Sequence, residues 1–167
     1  MGNTIDNLKA AFAGESQASR KYLYFSEKAD IEGLPQIARL FRAASEAETV
    51  HARNHLNVLQ GIGTTTQNLK TALSGEFHEM TEMYPDFIAQ SKTEKNAEAE
   101  NSFTLANKVE RVHHSLYHQA LKDIEGAKKL ANKPYYVCQV CGHTAEGEAP
   151  DRCPICGAPK IQFKKID

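Results

Sequence analysis

The sequence predicts a mainly α protein, in which an antiparallel four-helix bundle is followed by a small cysteine-containing domain with short β strands. Two observations support this prediction. Four segments of about 25 residues each repeat apolar side chains at helical spacing between residues 4 and 125. In contrast, all four cysteines lie at 138–156, and four of the six prolines lie at or beyond 134. We therefore assign the helical body with its linker to residues 1–133 and the cysteine-containing domain to residues 134–167.

The first two predicted helices cover residues 4–31 and 35–60. Gly33 separates them, and Pro35 suits the first turn of a new helix because proline has no N–H to leave unsatisfied there. The glycines after residue 60 are typical of a helix end.

The third and fourth predicted helices cover residues 67–91 and 96–125. The polar run Thr64–Asn68 offers N-cap side chains, and Gly126 ends the fourth helix. Pro85 is expected to kink the third helix. Four helices with short connections favour an antiparallel bundle whose apolar stripes face a common core.

Acidic side chains interrupt these apolar stripes on all four helices, and two helices add a histidine three residues after a glutamate, on the same face. Five buried carboxylates would each cost several kcal/mol of desolvation, against a typical stability of about 5–15 kcal/mol. No lysine or arginine lies on the stripes, so two divalent cations are the expected partners, and oxygen with imidazole ligands suits iron, manganese or zinc better than calcium. The predicted ligands are Glu15, Glu48, His51, Glu76, Glu79, Glu110 and His113.

These ligands are spaced as in an internal repeat. Glu15 and Glu48 are 33 residues apart, and Glu76 and Glu110 are 34 apart. Two helical hairpins related by a pseudo-two-fold axis would bring the halves together around a metal pair, an arrangement known in ferritin-like dimetal proteins. The alternative is that these are exposed charges on helices whose core faces lie elsewhere.

The cysteines form two Cys-x-x-Cys-Gly motifs, which are a strong signal for a tetrahedral metal site. The glycine after each pair suits a tight turn whose backbone N–H groups point at the sulfur atoms. The predicted ligands are Cys138, Cys141, Cys153 and Cys156. Disulfides are the alternative, and spacing alone does not separate zinc from iron. His143, just after the first motif, is expected to be exposed to solvent.

Composition excludes several function classes. Twenty basic and 21 acidic residues give a formal net charge of −1, which argues against a general nucleic-acid-binding surface. No apolar run approaches the roughly 18 residues that span a bilayer, and the N-terminus has no signal-peptide pattern. We therefore expect a cytoplasmic protein that binds neither nucleic acid nor membrane.

Taken together, these motifs resemble those of the rubrerythrin family over nearly the whole chain, and the two cysteine motifs resemble rubredoxin. The segments that carry the resemblance are Phe12–Ser16, Glu48–Ala52, Gly75–Met80, Met83–Pro85 and Glu110–His113. The resemblance implies a ferritin-like bundle followed by a rubredoxin-like domain.

The resemblance also implies an activity, namely a non-haem di-iron peroxidase that reduces hydrogen peroxide to water in oxidative-stress defence. Electrons would pass through an iron bound by the four cysteines, for which zinc could substitute. Glu15 would be a terminal ligand of one iron, Glu48 and Glu110 would bridge both, and Glu76 with His113 would complete the second. The remaining family positions are Glu79 and His51, which would exchange at the first iron with redox state, and Tyr22 and Tyr84, which would hydrogen-bond near the site.

The implied partners are an NAD(P)H-linked chain of donor proteins, such as rubredoxin, and a second copy of the chain in a head-to-tail homodimer. Two other functions are compatible with parts of the sequence. A ferritin-like iron oxidase or store would need only the bundle, and a zinc-ribbon interaction module would need only the cysteine motifs.

Overall fold

A computed structural model of the chain describes residues 2–167. The chain forms two compact units, one up to Gly63 and the other from Thr64 onward. As predicted, the fold is mainly α, with a small antiparallel sheet near the C-terminus. Within the described residues, no helix has the length and apolar character needed to cross a membrane.

The first unit is a helical hairpin made of α1 (Thr4–Ile31) and α2 (Pro35–Val58), which we call hairpin 1. The Asn3 side chain caps α1 by accepting a hydrogen bond from a backbone N–H of the first turn, and Pro35 begins α2 as predicted. The second helix ends two residues before the predicted position, because Gln60 adopts a φ of +53°.

Small side chains allow α1 and α2 to pack closely. The residues of this interface that are buried are Ser26, Ala29, Ala38, Ser45 and Ala52. The Ser45 hydroxyl donates to the Ser19 carbonyl oxygen of the facing helix at 2.8 Å, and the Ser19 and Thr49 hydroxyls lie 2.9 Å apart. These bonds fix the register of the helices and thus the level of the acidic residues on each.

The second unit begins with hairpin 2, in which α3, a π-helical turn and α4 follow one another and pack against α5. Their bounds are Thr65–His78 for α3, Glu79–Met83 for the π turn, Tyr84–Thr93 for α4 and Ala97–Glu125 for α5. The predicted capping residues are confirmed, since Thr64 and Gln67 form a reciprocal capping box. The expected kink at Pro85 is replaced by the π turn just before it, and Pro85 lies in the first turn of α4.

The C-terminal segment of this unit is a three-stranded antiparallel sheet in the order β2-β1-β3. The strands are β1 (Tyr135–Cys138), β2 (Thr144–Glu146) and β3 (Phe163–Ile166), as the prediction of short strands required. The turn between β1 and β2 carries the first cysteine motif. The domain limits at 1–133 and 134–167 remain predictions.

Candidate metal centres

Hairpin 1 brings three predicted ligands together. One oxygen each of Glu15 and Glu48 and one nitrogen of His51 all lie within 4.8 Å of one another. The two α2 residues share a face because they are three positions apart, and His51 Nδ1 lies 2.9 Å from Glu48 Oε2. The His51 side chain is 54% exposed in this arrangement, whereas that of Glu48 is 20% exposed.

The two carboxyl groups of hairpin 1 titrate differently. A hydrogen bond with Glu48, assisted by burial, raises the pKa of Glu15. Hydrogen bonds from His51 and then from Glu15 lower the pKa of Glu48. The two carboxyl groups therefore lose their protons at different pH values, as expected for neighbouring like charges.

Hairpin 2 repeats this arrangement with Glu76, Glu110 and His113, whose ligand atoms again lie within 4.8 Å of one another. His113 Nδ1 lies 2.7 Å from Glu110 Oε2 and 3.9 Å from Glu76 Oε1. The carboxylates are better shielded here, since the Glu76 and Glu110 side chains are only 18% and 14% exposed.

Burial affects the pKa values of this second group of ligands. Burial, with a hydrogen bond to Glu110, raises the pKa of Glu76 to about 7. Burial alone would also raise the pKa of Glu110, but hydrogen bonds from His113 and Glu76 together lower it. The hydrogen bond to Glu110 raises the pKa of His113. A cation would replace the protons that this cluster holds at neutral pH.

Glu79 and Tyr84 bracket the π turn beside this group. Glu79 is outside the three-ligand cluster, yet burial, followed by the charge of Glu110, raises its pKa. Burial, followed by the same charge, raises the pKa of Tyr84. The Tyr84 hydroxyl therefore stays protonated near the carboxylates.

Each hairpin contains an aromatic triangle, and the distances between ring centroids are nearly the same in both, although the angles between the rings differ. In hairpin 1 the tyrosine is 6.2 and 6.3 Å from two phenylalanines that are 5.5 Å apart. In hairpin 2 the corresponding distances are 6.2, 6.3 and 5.4 Å. The triangles are Tyr22, Phe25 and Phe41, and Tyr84, Phe87 and Phe103.

The π turn accounts for a difference in spacing between the two repeats. Glu15 precedes Tyr22 by seven residues, whereas Glu76 precedes Tyr84 by eight. An α-helix turns about 100° per residue, so an eighth residue would rotate Tyr84 away from the face that holds Glu76. A π turn contains more residues than an α turn, so it accommodates the additional residue and returns Tyr84 to the face that holds Glu76.

The four cysteines have the geometry of a tetrahedral metal site. The Sγ atoms of Cys138 and Cys156 are 3.8 Å apart, and those of Cys141 and Cys153 are 3.5 Å apart. Metal–sulfur bonds of about 2.3 Å in a tetrahedron require sulfur–sulfur distances of about 3.8 Å. All four are free thiols, so the disulfide alternative is not what the structure contains.

Backbone groups stabilise the sulfur atoms as predicted. Gly142 and Gly157, which follow the two motifs, have φ values of +83° and +78°. Burial opposes ionisation of Cys153, but backbone N–H groups of Ile155 and Cys156 donate to its sulfur and lower its pKa to about 7. Backbone hydrogen bonds also reach Cys141 and Cys156, but burial outweighs them and raises the pKa of both thiols.

The prediction that His143 is exposed is wrong. It is 9% exposed and packs edge-on against Phe163 at a ring distance of 6.3 Å. The sequence pattern could not reveal this, because the two residues are brought together only by the pairing of β1 with both other strands.

Thr144 is a residue near the site that the sequence did not indicate. Its Oγ1 lies 3.0 Å from His113 Nε2 and donates to the Gly142 carbonyl oxygen at 3.3 Å. The four-cysteine site is thereby joined to the ligand cluster of hairpin 2 in the same chain.

Comparisons with known proteins agree with this geometry. Residues 6–121 match the family described as Rubrerythrin, and residues 136–164 match the one described as Rubrerythrin, rubredoxin-like domain. Rubrerythrin-2 of Clostridium acetobutylicum is 35% identical over 96% of this chain and 95% of its own length. Nigerythrin of Nitratidesulfovibrio vulgaris is 34% identical over 98% of this chain and 86% of its own.

Solved structures of nigerythrin are also similar to the chain. The partially reduced state has a TM-score of 0.59 and 35% identity, and covers 99% of this chain and 88% of its own. The fully reduced state, described as all ferrous, has a TM-score of 0.58 and 34% identity with the same coverage.

Proposed function

This chain belongs to the rubrerythrin family, whose members combine a ferritin-like di-iron bundle with a rubredoxin-like domain, and on that premise we propose that it reduces hydrogen peroxide to water. The observation that carries the proposal is the presence of two carboxylate–histidine clusters and a four-cysteine site in one chain. A store or a zinc ribbon would need only one of these two kinds of site.

We propose that the carboxylates and histidines of these clusters are the ligands of the family's di-iron site. By family position, Glu15 would be a terminal ligand of one iron, Glu48 and Glu110 would be shared by both, and Glu76 with His113 would complete the second. Glu79 and His51 would alternate as ligands of the first iron, and Tyr22 and Tyr84 would hydrogen-bond near the irons. The chemistry of the donors supports this assignment, because five carboxylates nearly balance two divalent cations and imidazole suits iron.

Reduction of one hydrogen peroxide molecule to two water molecules consumes two electrons and two protons. When bound, two ferrous ions supply both electrons together, and a four-cysteine iron restores them one at a time. The chain supplies the protons. Glu76 loses its proton when it binds iron, so the donor beside the carboxylates is the Tyr84 hydroxyl, whose pKa burial raises.

The partners follow from the same proposal. We propose a cytoplasmic homodimer that receives electrons from NAD(P)H through rubredoxin or another donor protein and protects the cell against peroxide. The dimer would be head-to-tail, and the four-cysteine site would be the last carrier of that relay.

Iron analysis and stopped-flow mixing of the reduced protein with hydrogen peroxide test this function. The proposal requires about three iron ions per chain, two at the carboxylates and one at the cysteines, and rapid reoxidation of both centres. Accumulation of many more ions would indicate storage. Zinc at the cysteines, without visible absorption or turnover, would indicate an interaction module.

Glu110→Ala is the variant that tests the ligand assignment. It should abolish rapid peroxide reduction and leave the spectrum of the cysteine-bound iron unchanged, because Glu110 lies in the centre of its cluster. Glu82→Ala is the matched control, since Glu82 is 67% exposed and pairs with His78. Rapid turnover of the Glu110 variant would contradict the assignment.

A further inference from the structure

Thr144 lies at the start of β2, and its hydroxyl group is placed between the cysteine site and His113. We propose that Thr144 is a positioning residue for His113, holding the imidazole in the tautomer and orientation that bind metal. The proposal rests on the proposed di-iron site, but its test does not depend on peroxide chemistry.

The donors and acceptors determine the tautomer. A threonine hydroxyl has one hydrogen, and that of Thr144 is directed at the Gly142 carbonyl oxygen at 3.3 Å. Its lone pairs are therefore left to accept the Nε2–H of His113, 3.0 Å away. In the metal-free protein Nδ1 donates to Glu110 at 2.7 Å, and a metal would displace that proton and bind Nδ1 while Nε2–H stays on Thr144. Ligating histidines are commonly oriented by such an acceptor on their second nitrogen.

The hydroxyl also connects the two metal sites. Gly142 directly follows Cys141, so the path from a cysteine ligand to His113 contains one short backbone segment and two hydrogen bonds. Both ends of this path belong to one unit of one chain. Loss of the hydroxyl should therefore affect both metal binding at the carboxylates and electron transfer from the cysteine site.

The test compares Thr144→Val, which keeps the shape but removes the hydroxyl, with Thr144→Ser, which restores it. Co²⁺ competition titration should show affinity at the carboxylate site weakened about 10- to 100-fold in Thr144→Val and close to wild type in Thr144→Ser. Electron transfer from the reduced cysteine site should slow in the same order. Thr71→Val is the matched control, because Thr71 is exposed and donates only to Gln67 of its own helix.

Nitrogen-15 NMR of the zinc-loaded wild-type protein tests the tautomer without any substitution. The proposal requires His113 with Nε2 protonated and Nδ1 bound to metal, and the Nε2 proton should become labile in Thr144→Val. A metal-bound His113 protonated at Nδ1, a Thr144→Val affinity equal to that of wild type, or a serine variant as weak as the valine variant would each overturn it. Failure of the proposed function would instead appear as an iron-loaded wild type that peroxide does not reoxidise.

Discussion

Deletion of Thr81 from the π turn should leave hairpin 2 folded. Thr81 is exposed, and its removal shortens the spacing from Glu76 to Tyr84 from eight residues to seven. Seven residues bring both side chains to one face in an uninterrupted α-helix, as in hairpin 1. The aromatic triangle of Tyr84 should therefore remain intact, and we expect the free energy of unfolding to change by no more than about 1 kcal/mol.

Deletion of Lys21 is the matched control, because Lys21 is exposed in α1 between Glu15 and Tyr22, where no π turn can absorb the change. Everything after it rotates by about 100° and shifts by about 1.5 Å. The rotation breaks the contacts of Tyr22 and Phe25 with Phe41, at 6.3 and 5.5 Å. Two aromatic pairs contribute about 1–3 kcal/mol, so with the buried small residues that also rotate we expect a loss of about 3 kcal/mol or more.

Urea denaturation of the metal-free proteins, followed by circular dichroism at 222 nm, measures both effects. The Thr81 deletion should keep a midpoint near that of wild type, and the Lys21 deletion should lower it markedly. Equal destabilisation by the two deletions would refute the argument that the π turn accommodates one additional residue.

Two further predictions concern pH and glycine. The Co²⁺ affinity of the carboxylate clusters should fall as the pH drops below about 7, because Glu76, with a pKa of about 7, must lose its proton to bind metal. The expected fall is about tenfold per pH unit for each proton displaced. Equal affinities in titrations at pH 6 and pH 8 would contradict this prediction. Gly157→Ala should lower the free energy of unfolding by about 1–2 kcal/mol, because φ is +78° at that residue. Gly75→Ala should raise it by about 0.5–1 kcal/mol, because Gly75 lies in a helix interior with nothing near the added methyl group. Thermal melts of the two variants measure both effects.

Local signals in the sequence were sufficient for most of the helix ends. Thr64 and Gln67 lie in the predicted capping segment, and Pro35 begins α2. The predicted end of α2 is two residues too late. Glycine is the usual sequence signal of a left-handed residue at a helix end, but here that residue is Gln60. The π turn cannot be predicted from the sequence, because Met80 and Met83 fit the apolar period of an ordinary α-helix.

Ligand residues were easier to predict than the residues that hold them in place. Glu76 and Glu110 stand out because a carboxylate in an apolar stripe needs a chemical reason. Thr144 and His143 have no such signal, because each acquires its role only through contacts with distant residues, His113 and Phe163. Periodicity within one helix carries no information about such contacts.

The matching triangles show that the two hairpins share one local plan, in which a tyrosine follows the first glutamate of each cluster by about two helical turns. The two hairpins nevertheless differ in their acidic side chains. Hairpin 2 has Glu79 three residues after Glu76, whereas hairpin 1 has Ala18 three residues after Glu15. The two clusters are therefore chemically unequal, because hairpin 2 places a third carboxylate beside its cluster.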